Sequence, residues 1–129
     1  MLKTLNLSQN QLCGVDFMGR GTYSVVGITA LAEALKVNAV LKSLDLHGNN
    51  IRAEGAAAIA EALRGNAVLT NLNLAANQIG DEGAKALASG LRVNGGLNKI
   101  NLCYNGLFGE GKGAIRDAVS GRVGFELEM

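Results

Sequence analysis

The stretch LTNLNLAANQI, Leu69 to Ile79, has leucine at its first, fourth and sixth positions and asparagine at its ninth. Leu72 and Leu74 are two residues apart, so in a β-strand their side chains lie on the same face. The polar residues that flank them lie on the opposite face. The stretch therefore predicts a short strand with one buried face, followed by a turn at Asn77.

The pattern occurs four times, which indicates a repeat protein. Copies begin at Leu2, Leu41, Leu69 and Leu97, so the last three are 28 residues apart. The first two are 39 residues apart, which exceeds 28 by 11, and the extra residues form an insertion within residues 13–26. Stacked repeats bury a continuous core that one repeat cannot bury alone.

An asparagine follows the strand pattern in every repeat. The four are Asn10, Asn49, Asn77 and Asn105. Because a carboxamide both donates and accepts hydrogen bonds, these side chains are expected to satisfy backbone groups of the turns and to form an internal ladder.

The second half of each repeat predicts an amphipathic helix. In the third repeat, Leu87 and Leu91 follow Gly83 by four and eight positions, which makes one apolar stripe. Three further asparagines follow the stripes where a left-handed residue often ends a helix: Asn38, Asn66 and Asn94.

With this period, and with NQIGDEGAKALASGL after the third strand, the sequence resembles the ribonuclease-inhibitor-like class of leucine-rich repeat proteins. It is similar to the C-terminal repeats of NOD-like receptors. The resemblance implies an α/β solenoid in a right-handed horseshoe arc, with parallel strands on the concave face and helices on the convex face.

Length and composition are those of a single domain over residues 1–129. Its final residues, FELEM, alternate apolar and acidic side chains, which predicts a closing strand near 125–129. No strand or helix is predicted before the first strand, so its open edge predicts either pairing with another copy, and hence a possible homo-oligomer, or a missing N-terminal portion.

Charge and hydropathy exclude several partners. The net charge is +1 without a basic run, so no nucleic-acid binding is expected. No apolar segment approaches ~20 residues, so no membrane span is expected, and no secretory signal core is found. Cys13 and Cys103 lie three repeats apart, ~14 Å at the usual strand spacing, and are predicted to be free thiols of a cytoplasmic protein.

No enzymatic activity is predicted. Ser43, Asp45 and His47 share one strand face, but a catalytic triad needs the histidine between the other two residues, and here Asp45 is central. His47 is the only histidine, so no metal site is expected. The glycines near Tyr23 lack the pattern of a phosphate-binding loop, and no cofactor is predicted.

The sequence instead predicts a protein-protein interaction module. Partner-binding residues are expected on the concave face and in the insertion: Phe17, Met18, Arg20, Tyr23, Ser43, Asp45, His47, Asn71, Asn73, Lys99, Asn101 and Tyr104. The insertion either caps the first repeat through Val15 or Phe17, or forms a recognition loop. A related repeat class stimulates a small GTPase, so a GTPase-activating or other regulatory protein is the alternative function.

Overall fold

The computed structural model describes residues 2–16 and 18–129, in which strands and helices alternate along the chain. The strands are β1 (Thr4–Asn6), β2 (Ser43–Asp45), β3 (Asn71–Asn73), β4 (Lys99–Asn101) and β5 (Glu126–Glu128). The helices are α1 (Val26–Val37), α2 (Arg52–Gly65), α3 (Gly80–Val93) and α4 (Gly109–Val119). Each of the four repeats thus contributes one strand and one helix, and β5 follows the last helix.

The strands form one parallel sheet in the order of the sequence. Leu5, Leu44, Leu72, Ile100 and Leu127 are paired in register across its five strands. Consecutive repeats therefore occupy consecutive positions in the sheet, which confirms the α/β solenoid with parallel strands that the resemblance implies.

The core lies between the sheet and the helices. Leu46, Leu74 and Leu102 are at most 1% exposed, in agreement with the predicted strand register. Leu87 and Leu91 of α3 are also completely buried and belong to the same cluster. In each repeat, one face of the strand and the apolar stripe of the helix pack into this core. The opposite face of the strand is therefore exposed to solvent.

The prediction of left-handed residues at Asn38, Asn66 and Asn94 is wrong. All three have an extended backbone, and Asn66, for example, has φ −115° and ψ 120°. The side chain of Asn94 donates to the carbonyls of Leu63 (2.8 Å) and Asn66 (2.6 Å) of the preceding repeat. Its Oδ1 accepts from the Leu97 amide at 2.9 Å. Asn66 and Asn94 therefore join successive repeats and satisfy buried backbone groups, whereas the exposed Asn38 accepts only from the nearby amides of Val40 and Leu41.

Candidate functional site

The outward residues of β2, β3 and β4, with His47 two positions after the end of β2, form what we call the strand face. Its members are Ser43, Asp45, His47, Asn71, Asn73, Lys99 and Asn101, all of them half-buried. A shallow polar depression of about 290 Å³ lies on this face. Tyr104, which follows β4, is 89% exposed at the edge of the face.

Three side chains of the strand face also close the turns at the strand ends. In each of Asp45, Asn73 and Asn101, one side-chain oxygen accepts a hydrogen bond from the backbone amide two residues later, at 2.9 to 3.0 Å. This local hydrogen bond is typical of Asn and Asp in turns. The amide groups of Asn73 and Asn101 keep their donors for other partners.

Lys99 is paired within the sheet. Its ammonium lies 3.1 Å from a Glu128 oxygen and 3.6 Å from a Glu126 oxygen, both on the neighbouring strand β5. The hydrogen bond to Glu128, followed by the charges of both carboxylates, raises the pKa of Lys99. A partner that approaches this end of the strand face meets two carboxylates around one ammonium, and hence a net negative surface.

The Asp45 carboxylate accepts from the backbone amide of His47 rather than from its ring. Among the described residues, no three His, Cys, Asp or Glu side chains are grouped so that they could hold a metal ion. In the same residues no helix is long and apolar enough to cross a membrane. Cys13 and Cys103 are both free thiols.

The first set of asparagines links the turns of neighbouring repeats. Asn77 is completely buried, and its Oδ1 accepts from the backbone amides of Asn49 (2.7 Å) and Ile51 (3.4 Å). Its amide donates to the carbonyls of Leu46 (2.9 Å) and Leu74 (3.1 Å). Equivalent bonds join Asn49 to the first repeat, where its Oδ1 accepts from the amides of Asn10 and Leu12. They also join Asn105 to the third repeat, where its Oδ1 accepts from the amides of Asn77 and Ile79.

Asn10 differs from the other three predicted ladder residues. It is exposed, and its side chain donates only to the Ser8 carbonyl two residues away, at 3.1 Å. Among the described residues, its Oδ1 receives none of the bonds seen in Asn77.

The insertion folds into a small hairpin, residues 13–24, of which Phe17 lies outside the described residues. Val15 and Gly21 form an antiparallel bridge at its base. Asp16 organises its tip, because its Oδ1 accepts from the backbone amides of Met18 and Arg20 at 2.9 Å. Its Oδ2 lies 2.7 Å from the Arg20 guanidinium. These bonds hold the pKa of Asp16 below its usual value, and the bond from the Arg20 amide has the largest effect.

Glycine is required where the two sides of this insertion hairpin approach each other. A Cβ atom on Gly14 would lie 2.4 Å from the Thr22 carbonyl oxygen, and one on Gly21 would lie 2.1 Å from the Gly14 oxygen. Both residues also have positive φ, +82° and +117°. Only glycine fits these positions without moving the backbone.

The insertion hairpin is held against the second repeat. Asn50 donates through Nδ2 to the carbonyls of Val15 (3.2 Å) and Asp16 (3.1 Å). The Tyr23 hydroxyl donates to the Ile51 carbonyl. Burial raises the pKa of that hydroxyl, so it stays protonated and able to donate.

A cation-π contact adds to these bonds, since the Arg52 guanidinium lies 4.4 Å from the centre of the Tyr23 ring. Beneath the hairpin, Cys13 is completely buried, and this burial raises the pKa of its thiol.

The residues singled out in the insertion, Val15 as a predicted cap residue and Met18, Arg20 and Tyr23 as predicted binding residues, are divided between the interior and solvent. Val15 is only 2% exposed and Tyr23 is half-buried, whereas Met18 is 66% exposed and the Arg20 side chain 73% exposed. The hairpin thus covers part of the protein and also projects side chains. The hairpin also contacts the second repeat, whereas the cap hypothesis placed it against the first repeat only.

A cleft of about 450 Å³ lies between the insertion hairpin and the turns that follow β1, β2 and β3. Val15 forms one side, and His47 connects the cleft to the strand face. Four carboxamides line it: those of Gln9, Gln11, Asn50 and Gln78. We call it the amide cleft. Sequence reasoning missed it because its glutamines belong to turns that no periodic pattern marks as functional.

Two family profiles match the sequence. One, described as Leucine Rich repeat, matches residues 37–60 and 65–88, and another, described as Leucine Rich Repeat, matches residues 1–19. Together they cover just over half of the chain. No curated protein matches it.

Among solved structures, the chain is similar to the tropomodulin C-terminal domain from Caenorhabditis elegans structural genomics. The TM-score is 0.78, the sequence identity is 16%, and the match covers 99% of this chain and 73% of that chain. This low identity establishes a shared fold and nothing about a shared partner. With its periodic leucines, its register of parallel strands and the two matching profiles, the chain belongs to the leucine-rich repeat proteins.

Proposed function

We propose that this chain is a protein-binding module without catalysis, and that one partner contacts both the strand face and the insertion hairpin. The observation that carries the proposal is the hairpin itself. Asn50, Tyr23 and Arg52 hold it in one position, while it exposes Met18 and Arg20. A loop that is ordered before binding loses less conformational entropy when a partner docks, which favours affinity.

The strand face supports the same function. Ser43, Asn71 and Asn73 present polar groups in register on adjacent strands, and parallel sheets of repeat proteins commonly form such extended binding surfaces. The amide cleft joins this surface to the hairpin through His47 and Val15. A partner can therefore cover both without crossing a gap. At the far edge, the exposed Tyr104 supplies a side chain of the type that often anchors interfaces.

The test compares variants of the full chain in capture experiments from cell extract, followed by titration with the purified partner. Asn71→Lys places a bulky charge in the middle of the strand face, and Ala57→Lys places the same side chain on the exposed side of α2 as a control. We expect Asn71→Lys and a Met18→Ala/Arg20→Ala pair each to weaken binding at least tenfold. Ala57→Lys should bind like the parent chain.

Equal binding by all four chains would contradict this assignment. The GTPase-activating alternative is tested in parallel by adding the chain to small GTPases and measuring GTP hydrolysis. Stimulated hydrolysis would replace the binding module by that regulatory function.

A further inference from the structure

We propose that the amide cleft binds an extended, uncharged polar segment of a partner protein through its side-chain amides. The inference rests on the proposed protein-binding function and specifies the chemistry that one part of the surface recognises. It concerns the turns after β1, β2 and β3 together with the insertion hairpin, rather than the strand face.

The chemistry of the lining favours a peptide backbone. The side chains of Gln9, Gln11 and Gln78 are exposed in the cleft, and each has both a donor and an acceptor. A peptide unit offers the complementary acceptor and donor. Gln11, Asn50 and Gln78 occupy the same turn position in three successive repeats, so their backbones are separated by about 4.8 Å each. The row spans about 10 Å, or three residues of an extended chain.

The absence of charge selects against acidic and basic ligands. Within the described parts of the chain, no aspartate, glutamate, lysine or arginine lines the cleft. The nearest charged residues of the hairpin, Asp16 and Arg20, are paired with each other at 2.7 Å. A carboxylate or ammonium group in this cleft would lose water without gaining an opposite charge, which is unfavourable.

The glutamines occupy turn positions where glycine would be less strained. Gln9, Gln11 and Gln78 have φ of 54° to 57°, in the left-handed region. The equivalent turns contain Gly48 and Gly106 at φ 72° and 67°. Non-glycine residues carry a steric cost in this region that glycine avoids. The left-handed backbone therefore does not favour glutamine at these positions, where Ala76 and Tyr104 are also found in equivalent turns, and the amide side chains are available to a ligand.

Gly48 leaves room for the Gln9 side chain. A Cβ atom at this position would lie 3.1 Å from Cγ of Gln9, so a larger residue would require that side chain to shift by a few tenths of an ångström.

The experiment titrates isotope-labelled chain with pools of acetyl- and amide-capped pentapeptides made from glycine, serine, threonine, asparagine and glutamine. Two matched pools carry aspartate or lysine at the central position. We expect the neutral pool to shift the side-chain amide resonances of Gln9, Gln11 and Gln78 saturably at millimolar concentration. The charged pools should bind several-fold more weakly, because the cleft cannot neutralise them.

The decisive variant is Gln11→Gly/Gln78→Gly, with Ala57→Lys on the exposed side of α2 as the control. Gln11 and Gln78 both have positive φ, so glycine relieves backbone strain at these positions. Both variants should melt at the parent temperature or up to about 5 °C higher. The first should lose peptide binding while the control keeps it.

Several results would overturn the proposal: no saturable shift with the neutral pool, equal binding of the charged pools, or unchanged binding by the glutamine variant. A lower melting temperature of that variant would show that the glutamines serve folding instead. If the peptides fail while partner capture still depends on Asn71 and Met18, the proposed function stands and only the amide cleft assignment falls.

Discussion

Replacement of Asn77 by alanine should be among the most destabilising single changes in a turn of this protein. The side chain is completely buried and makes hydrogen bonds to the preceding repeat and to its own repeat. Its three acceptor carbonyls each keep another donor after the change. Asn49 still donates to the carbonyl of Leu46, Asn105 to that of Leu74, and the Gly48 amide to that of Ala75.

The two amides that bond to Oδ1 of Asn77 determine the cost. The Asn49 amide, at 2.7 Å, loses a strong bond, and the Ile51 amide, at 3.4 Å, loses a weaker one. An unsatisfied buried donor costs roughly 1 to 3 kcal/mol. With one full and one partial loss, we expect Asn77→Ala to reduce the free energy of unfolding by about 2 to 4 kcal/mol.

Urea unfolding followed by circular dichroism measures this change, provided that the slope with denaturant stays the same. Asn10→Ala is the matched control, because Asn10 holds the equivalent position but donates only to a local carbonyl. It should cost less than about 0.5 kcal/mol. Equal losses in both variants, or a loss below about 0.5 kcal/mol in Asn77→Ala, would refute the assignment of the cost to buried backbone amides.

Four further predictions concern the core, the insertion hairpin and the sheet edge. Leu74→Ala should lower the free energy of unfolding by about 2 to 5 kcal/mol in the same urea assay, because it leaves a cavity in the core; a loss well under 1 kcal/mol would mean that the repeat register is wrong. Tyr23→Phe removes the hydroxyl bond to the second repeat, and should cost about 0.5 to 1.5 kcal/mol and speed hydrogen exchange in the hairpin, whereas unchanged exchange would mean that the hydroxyl does not hold it. Folding lowers the pKa of Asp16 from its usual 3.8, so the bonds of its carboxylate stabilise the hairpin fully above pH 3.8 and are lost as the pH falls through the lower folded pKa. The amide resonance of Arg20 should shift as Asp16 becomes protonated, and Asp16→Asn should abolish this shift. Thr4→Lys places a charge on the open edge of β1 and should reduce self-association in light scattering, a prediction that a strictly monomeric parent at high concentration would contradict.

The sequence by itself determined the repeat, the strand register and the buried leucines. Leu72 and Leu74 were identified from spacing because strand side chains alternate with a period of two, a local property of the backbone. The turn asparagines were identifiable for a related reason, since every buried turn must satisfy its own amides and carbonyls. Repetition made both signals stronger, because the same requirement recurs every 28 residues.

The roles of the insertion and of the asparagines that follow the helices could be seen only in the tertiary structure. Asn94 follows a helix in a manner typical of a left-handed residue, yet it is extended because its side chain bonds to carbonyls of the preceding repeat. The insertion likewise has contacts that its composition could not reveal: Tyr23 donates to Ile51, a residue 28 positions away. Such contacts depend on which repeats become neighbours in space. The amide cleft arises in the same way, because its glutamines come from separate turns that only stacking brings together.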